Sequence, residues 1–533
     1  MAALRWLLAG IFGSMAMLIW SFEVPPPLAQ VLSDRMLSVT PGAVFGFLID
    51  RLQLIGKPLF FLGTVALELA IGAIAALLLM PLARLRTLPL IGAGVVLGAV
   101  LALLARLLLG PEAGTPAVAF GFVLYGLVSA AAAALLGEAM PRASAQRRAE
   151  TADGRRRFLA MAAAAIGGVL AAGTAVEVTR TIRGIGERAG LATTTNGVAL
   201  TDVGEVADTA FPVALLSAPR VERVAVGGRP QPTVIHPGPP PGMPSAITSN
   251  REFYVISKNF VDPIVDARRW SLEVKGALVE RPITLNYQAL REQPTQSEYV
   301  TLECISNDIG GRLMSTARWT GVPLRDLLKR AGLRDAARAV AFTCADGYVE
   351  SLPIEHAMDP TTLVVFLMNG EPLPDKHGFP ARIVTTGLYG MKNPKWLTSI
   401  EPVVQAPAGF WERQGWSTTA VVKTMSRIDV PKAGATVTSP FTFGGVAFAG
   451  RRGIKRVEVS VDGGKTWLPA ELERPLSPYA WTLWYRTWDG GPRGRATALV
   501  RATDSSGAVQ TMAAAPSFPA GATGYDSLTF AIG

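Results

Sequence analysis

The feature that most constrains this chain is a break in composition near residue 180. Before it the sequence is rich in Leu, Ala and Gly and almost free of acids; after it the sequence reads as ordinary water-soluble protein. With 533 residues the chain is also too long for one core, so two or more domains are required. Five apolar stretches, approximately 4–22, 58–80, 88–109, 116–137 and 158–176, have the length of about 20 residues that a membrane helix needs.

Arginine placement orients these stretches. Arg5 precedes the first, Arg84 and Arg86 separate the second from the third, and Arg142, Arg147, Arg148, Arg155, Arg156 and Arg157 separate the fourth from the fifth. The loop GPEAGTP between the third and fourth has no positive charge. The pattern predicts a cytoplasmic N-terminus, five crossings, and everything beyond about residue 180 outside the cytoplasm. Arg155-Arg156-Arg157-Phe158-Leu159 before an Ala/Gly-rich run also matches a twin-arginine export signal, a reading that competes with a plain positive-inside flank. Glu68 and Arg106, with Glu138 near an end, are the ionisable groups within these stretches, and helix packing or snorkelling accounts for them as well as function does.

The net charge of +10 is not gathered into basic runs with interleaved aromatics, which argues against nucleic acid. Two cysteines, Cys304 and Cys344, and three histidines, His236, His356 and His377, exclude a disulfide scaffold and a zinc site of the usual type. One bridge between the two cysteines stays open on this count alone. No histidine precedes residue 236, so a bis-histidine haem among the apolar stretches is impossible, and there is no cysteine set for an iron–sulfur cluster. Nucleotide-binding glycine motifs are missing as well.

The Pro/Gly-rich stretch that ends in HPGPPPGMP, His236 to Pro244, predicts a linker over 181–250 with His236 solvated. Beyond it, FYVIS and WSLEVKGAL read as strands, PLRDLLKRAGL as a helix stopped at Gly332, and AVAFTCADGYVESLPI as a strand, an Asp-Gly turn and a strand. This mixture without βαβ alternation predicts an α+β domain over 251–417. After about Thr418 short alternating strands predict an immunoglobulin-like β-sandwich over 418–533, with Trp467, Trp481, Trp484 and Trp488 as core or interface aromatics.

Three separated motifs carry the chemistry: TLECISND over 301–308, MNGEPLP followed by His377-Gly378-Phe379-Pro380-Ala381-Arg382, and GLYGMKNPKWL over 387–397. Together, in this order, they resemble the sulfite oxidase family of molybdopterin enzymes over about residues 250–515. The residues agree with that chemistry. A catalytic metal of this kind wants a soft thiolate at an open site, with cations to neutralise an anionic cofactor, and Cys304 stands where the apolar strand VTLEC meets a loop.

The resemblance implies that Cys304 binds molybdenum beside the dithiolene sulfurs of a pyranopterin. It implies that His377, Arg382 and Lys395 hold the pterin and its phosphate, with Asn393 in the same loop. Arginine takes phosphate bidentately, and lysine supplies a compact charge. His377 has a structural alternative as a turn residue in HGFP. Lys258-Asn259-Phe260 matches the segment passing over the cofactor, and Asp346 falls near a further contacting loop, where Cys344 is equally well a core thiol. The sandwich corresponds to that family's dimerisation domain, which implies a homodimer.

Around the metal the chain departs from a sulfite pocket. Ile309, beside Asp308, stands where that family has an arginine, Lys258 replaces another, and Trp416 of WERQGW aligns with the substrate tyrosine. Lys258 and Trp416 therefore join Cys304 as candidate catalytic residues. The resemblance thus implies an oxygen-atom transfer enzyme whose substrate is a neutral sulfoxide or N-oxide, with sulfite as the competing reading. Electrons require a separate partner, a cytochrome or a quinone-linked membrane protein. A cofactor-free exported binding module is the reading from another class, and the retention of Cys304, His377, Arg382 and Lys395 together opposes it.

Overall fold

A computed structural model describes residues 2–23, 63–82, 87–109, 116–139, 220–222, 234–236, 239–259 and 262–533. The chain divides into two units. One is Met1–Thr194 with Lys258–Ile264, and the other is Thr195–Ser257 with Val265–Gly533.

In the first unit Ala2–Glu23, Thr87–Leu109 and Pro116–Ala139 are helical. Two helices, Gly63–Pro81 and Pro89–Leu107, are long and apolar enough to cross a membrane, whereas the apolar helices Arg5–Leu18 and Val118–Ala133 are shorter. The expectation of five spans is therefore corrected to two such helices among the described residues; the fifth stretch, 158–176, and the twin-arginine motif lie outside them. Small residues let these helices touch backbone to backbone. A Cβ at Gly98 would fall 2.2 Å from the Phe122 carbonyl oxygen, and one at Gly126 would fall 1.9 Å from that of Gly94. Tyr125 donates from its hydroxyl to the Gly72 carbonyl at 2.5 Å. Glu68 is buried here, and neither carboxylate oxygen has a hydrogen-bond partner among the described residues.

The second unit opens with two mainly antiparallel sheets. In one, Gln296–Glu303 pairs with Met314–Pro323, which pairs with Leu363–Met368, and Arg382–Val384 joins the far side of that last strand. In the other, Leu397–Val403 is central, parallel to Ser271–Val274 and antiparallel to Ala339–Cys344, which makes a hairpin with Val349–Pro353. The helix Leu324–Arg330 follows the second strand of the first sheet, and its chain reverses through Gly332 at a left-handed φ of 71°. An α+β class follows, as patterning predicted. FYVIS is corrected: residues 254–257 form no strand. His236, expected in a solvated linker, ends a short strand paired with Arg220–Glu222.

The C-terminal part is a sandwich of a four-stranded and a five-stranded sheet. Its core gathers Phe443, Val457, Val459, Trp484, Val500 and Phe530 from both layers. Trp481 instead joins the sandwich to the α+β part, its backbone N–H donating to Thr301 Oγ1 at 2.8 Å and its indole to the Ala246 carbonyl at 3.1 Å. The two parts, read from sequence as separate domains, share one compact unit.

Candidate functional site

Cys304 comes immediately after the Gln296–Glu303 strand, where pairing ends and the chain turns. Its N–H donates to the Leu313 carbonyl at 2.9 Å, and its own carbonyl accepts from Asn307 N–H at 3.0 Å. This fixes the backbone on both sides of the thiol. The side chain is 8% exposed, and Sγ lies 3.1 Å from Ser306 Oγ. Burial pushes the thiol above its ordinary pKa, while the Ser306 hydrogen bond pulls the other way. Cys304 and Cys344 are both free thiols, so the bridge left open by counting is not formed.

The motif around Gly390 packs against the cysteine. A Cβ on Gly390 would lie 2.8 Å from the Tyr254 hydroxyl and 3.9 Å from Cys304 Cα, so glycine allows this loop its approach. Tyr254 feels Cys304, Arg382 and Glu303 electrostatically, although burial is the main reason its phenol stays well above the usual range. Tyr389 is likewise raised, by burial first and then by Glu303. Neither tyrosine was singled out from sequence; only the glycine between Tyr389 and Met391 hints at the close approach.

Arg382 lies on the short Arg382–Val384 strand and is 5% exposed. Its guanidinium donates to the carbonyls of His377 (3.1 Å), Asn393 (3.0 Å) and Ile383 (3.4 Å), and lies 5.2 Å above the Trp319 ring. Burial lowers its pKa to about 10. Among the described residues it has no carboxylate partner, and a buried cation without a counter-ion suits an anionic ligand. His377 is buried, with Nε2 3.2 Å from the Asn250 carbonyl oxygen and its ring edge-on to Phe253. Asn393 accepts from Thr385 N–H at 2.8 Å. Lys395 donates to the carbonyls of Lys376 (2.9 Å) and Ile256 (3.1 Å), half-buried over Trp396. Asp346 caps its own turn by accepting from Tyr348 N–H at 3.0 Å.

The fold thus brings Cys304, His377, Arg382, Asn393 and Lys395 onto neighbouring loops. Lys258 and Asn259 are buried, and their segment groups with the helical unit. Phe260 lies outside the described residues. Trp416 is buried edge-on to Phe518, and its indole N–H has no partner among the described residues.

Ile309, 38% exposed, faces the sandwich side: a Cβ on Gly524 would fall 2.6 Å from its Cδ1. Two arginines near this loop share one carboxylate. Arg427 donates to Asp429 and to the Gly311 carbonyl at 2.7 Å, and Arg312 lies 3.8 Å from Asp429. Asn307 holds one oxygen of Glu303 at 3.0 Å, while the other has no partner among the described residues.

Glu303 supplies a pH test. Burial raises its carboxyl to about 7, with Asn307 and then Arg427 opposing. A carboxyl raised on folding contributes stability that is present below the ordinary glutamate pKa and lost as pH rises through about 7. Glu303→Gln should therefore gain on the parent by on the order of 2–3 kcal/mol between pH 5 and 8. Thermal melts across that range check this, and parallel curves would refute it.

Among the described residues no group of three or more His, Cys, Asp or Glu side chains could hold a bare metal ion. A lone thiolate then serves a metal that arrives with its own ligands, and the buried Arg382, without a carboxylate partner among the described residues, suits the phosphate of such a cofactor. Comparison with known proteins agrees. The oxidoreductase molybdopterin binding domain matches residues 259–411, and the Mo-co oxidoreductase dimerisation domain matches 416–517. Mitochondrial sulfite oxidase of Mus musculus is 33% identical over 296 residues, 46% of this chain and 54% of that protein. Sulfite oxidase of Gallus gallus is 30% identical, over 51% of this chain and 69% of that protein. The nitrate reductase [NADH] of Solanum lycopersicum is 29% identical, over 40% and 30%. The sulfane dehydrogenase SoxCD structure from Paracoccus pantotrophus aligns at 25% identity with a TM-score of 0.46, over 50% of this chain and 75% of that one. The chain spans about half the length of the mammalian relatives it matches.

Proposed function

The chain belongs to the sulfite oxidase family of molybdopterin-dependent oxidoreductases, and from that premise we propose that it carries out two-electron oxygen-atom transfer on a neutral substrate such as a sulfoxide or N-oxide. It is a molybdenum oxidoreductase whose cofactor is molybdenum–molybdopterin. When bound, the cofactor supplies the two-electron couple and an open metal position for the oxygen atom. In the reductive direction a sulfoxide takes two electrons and two protons and leaves as sulfide and water.

The chain's own groups then have distinct tasks. Cys304 would hold the metal as thiolate; because burial favours the thiol, taking that role would release a proton, and the Ser306 hydroxyl can donate to the sulfur. Arg382 and Lys395 neutralise the cofactor phosphate, and Asn393 and His377 fix the loops around it. Tyr254, whose hydroxyl lies against Gly390, keeps its proton. Trp416 walls the substrate side.

The observation carrying the neutral substrate is the loop after Cys304. It presents Asp308 and Ile309, while the nearby Arg312 and Arg427 share the single carboxylate of Asp429. Between Cys304 and Gly311 the loop itself offers an oxyanion no cation. Sulfite is the second reading, favoured by the names of the similar proteins. Turnover of dimethyl sulfoxide with a reduced viologen dye, compared with sulfite oxidation by ferricyanide, tests the choice. Faster sulfoxide turnover is expected; a larger kcat/KM for sulfite would overturn it.

The same reading places residues 251–417 and 418–533 outside the cytoplasm, tethered to a membrane by the region up to about 180, with 181–250 between them. Its support is the outward apolar face of the helical unit, where Ile74, Leu78, Val96 and Leu107 are exposed, the arrangement suited to lipid. The dimerisation domain favours a homodimer, and electrons come from a separate cytochrome or quinone-linked protein.

A further inference from the structure

Lys392 stands beside Asn393 in the motif GLYGMKNPKWL. It is 3% exposed, and Nζ donates to Glu350 Oε1 at 2.8 Å, to the Ser351 carbonyl at 3.3 Å and to Glu412 Oε1 in a shorter contact. Glu350 is fully buried and Glu412 nearly so. The second oxygen of Glu412 accepts from Gly409 N–H at 2.8 Å, and a Cβ on Gly409 would meet Glu350 Oε2 at 2.5 Å. Tyr348 adds a strap by donating to the Met391 carbonyl at 2.8 Å.

Each arm of this cluster leads to a different wall of the site. Lys392 stands between Gly390, packed near Cys304, and the Asn393–Lys395 segment. Glu350 belongs to the hairpin whose turn carries Asp346. Glu412 lies in the turn Glu412–Gln414, and the Trp416 N–H donates back to the Trp411 carbonyl at 3.2 Å.

We infer that Lys392, Glu350 and Glu412 are positioning residues that lock the cofactor loop to the Trp416 wall. Two carboxylates and one ammonium are costly to bury, and an apolar or neutral cluster of similar volume would be as stable. What the charged cluster supplies is a fixed geometry between three loops that otherwise share little regular structure. The inference rests on the enzyme reading above in one respect, that the Asn393–Lys395 loop and Trp416 face cofactor and substrate.

The test uses the full chain expressed with cofactor. In Lys392→Met/Glu350→Gln/Glu412→Gln every member is neutral, so melting should match the parent. The molybdenum and pterin content or the Mo(V) electron paramagnetic resonance signal should change nonetheless. Activity on dimethyl sulfoxide or sulfite, whichever the parent turns over, should fall about 10–100-fold, the range for groups that orient the direct ligands of a metal. A parent-like melt together with parent-like metal content, spectrum, kcat and KM would overturn the inference. Should that variant fail to fold, Glu412→Gln alone leaves the Lys392–Glu350 pair in place. It should raise KM several-fold at unchanged molybdenum content, and an unchanged KM would overturn the inference by itself. If the parent holds no molybdenum, the enzyme reading fails first, and that result is read from the parent alone.

Discussion

Replacing Cys304 with alanine reduces turnover to the dye-only background while leaving the melting temperature of the folded unit within a few degrees of the parent. The side chain is nearly enclosed, yet its backbone hydrogen bonds to Leu313 and Asn307 do not involve sulfur and persist in the variant. Truncation removes one buried sulfur atom and its contact with Ser306 Oγ. The loss of packing at a small residue costs on the order of 1 kcal/mol, far less than the functional loss. Arg382, Lys395 and the other pterin-holding groups are untouched, so pterin should remain bound at a substantial level. Turnover assays, melting and pterin analysis on one preparation check the three parts. Activity near the parent's would remove Cys304 from the chemistry.

Lys392→Met is expected to be the most destabilising single change in the catalytic part, by about 3–5 kcal/mol, because it leaves Glu350 and Glu412 buried without their cation. Burial already pushes the Glu350 carboxyl up to about 7 with the ammonium in place. Without the ammonium, folding favours its neutral form more strongly. The stability then survives below the ordinary glutamate range and is lost as pH rises. The variant should therefore fall further behind the parent at pH 8 than at pH 5, as read from thermal melts. Restoring neutrality with Glu350→Gln and Glu412→Gln should recover much of the loss. A uniform deficit at both pH values would mean that packing, not charge, sets the cost.

Much of the catalytic fold was legible because its signals are local. Alternation marked the strands around Cys304 and Cys344, the apolar periodicity of PLRDLLKRAGL marked the helix, and Asp-Gly turns marked the sandwich. FYVIS misled because an apolar β-prone run records burial as well as pairing: Phe253 is buried against Trp319 and His377, while 254–257 form no strand. The count of spans differs because, among the described residues, only Gly63–Pro81 and Pro89–Leu107 are long and apolar enough, while the fifth stretch, 158–176, lies outside them.

The site divides in the same way. Cys304, His377, Arg382 and Lys395 could be found because their motifs are contiguous. The Lys392 cluster could not, since its members are 42 and 20 residues apart and nothing local marks a lysine as buried. Tyr254 and Glu303 were hidden for a related reason: their chemistry comes from burial beside Cys304, which no short pattern records. Ile309 was read correctly as apolar, but its contact with Gly524 on the sandwich side depends on how the two parts of the unit pack.

The most direct test of the central claim is X-ray absorption at the molybdenum edge on the loaded parent and on Cys304→Ser. The account predicts that the variant loses one sulfur from the metal's nearest shell while the remaining sulfur scattering is unchanged. An identical sulfur shell in the two proteins would show that Cys304 does not hold the metal and would contradict the account.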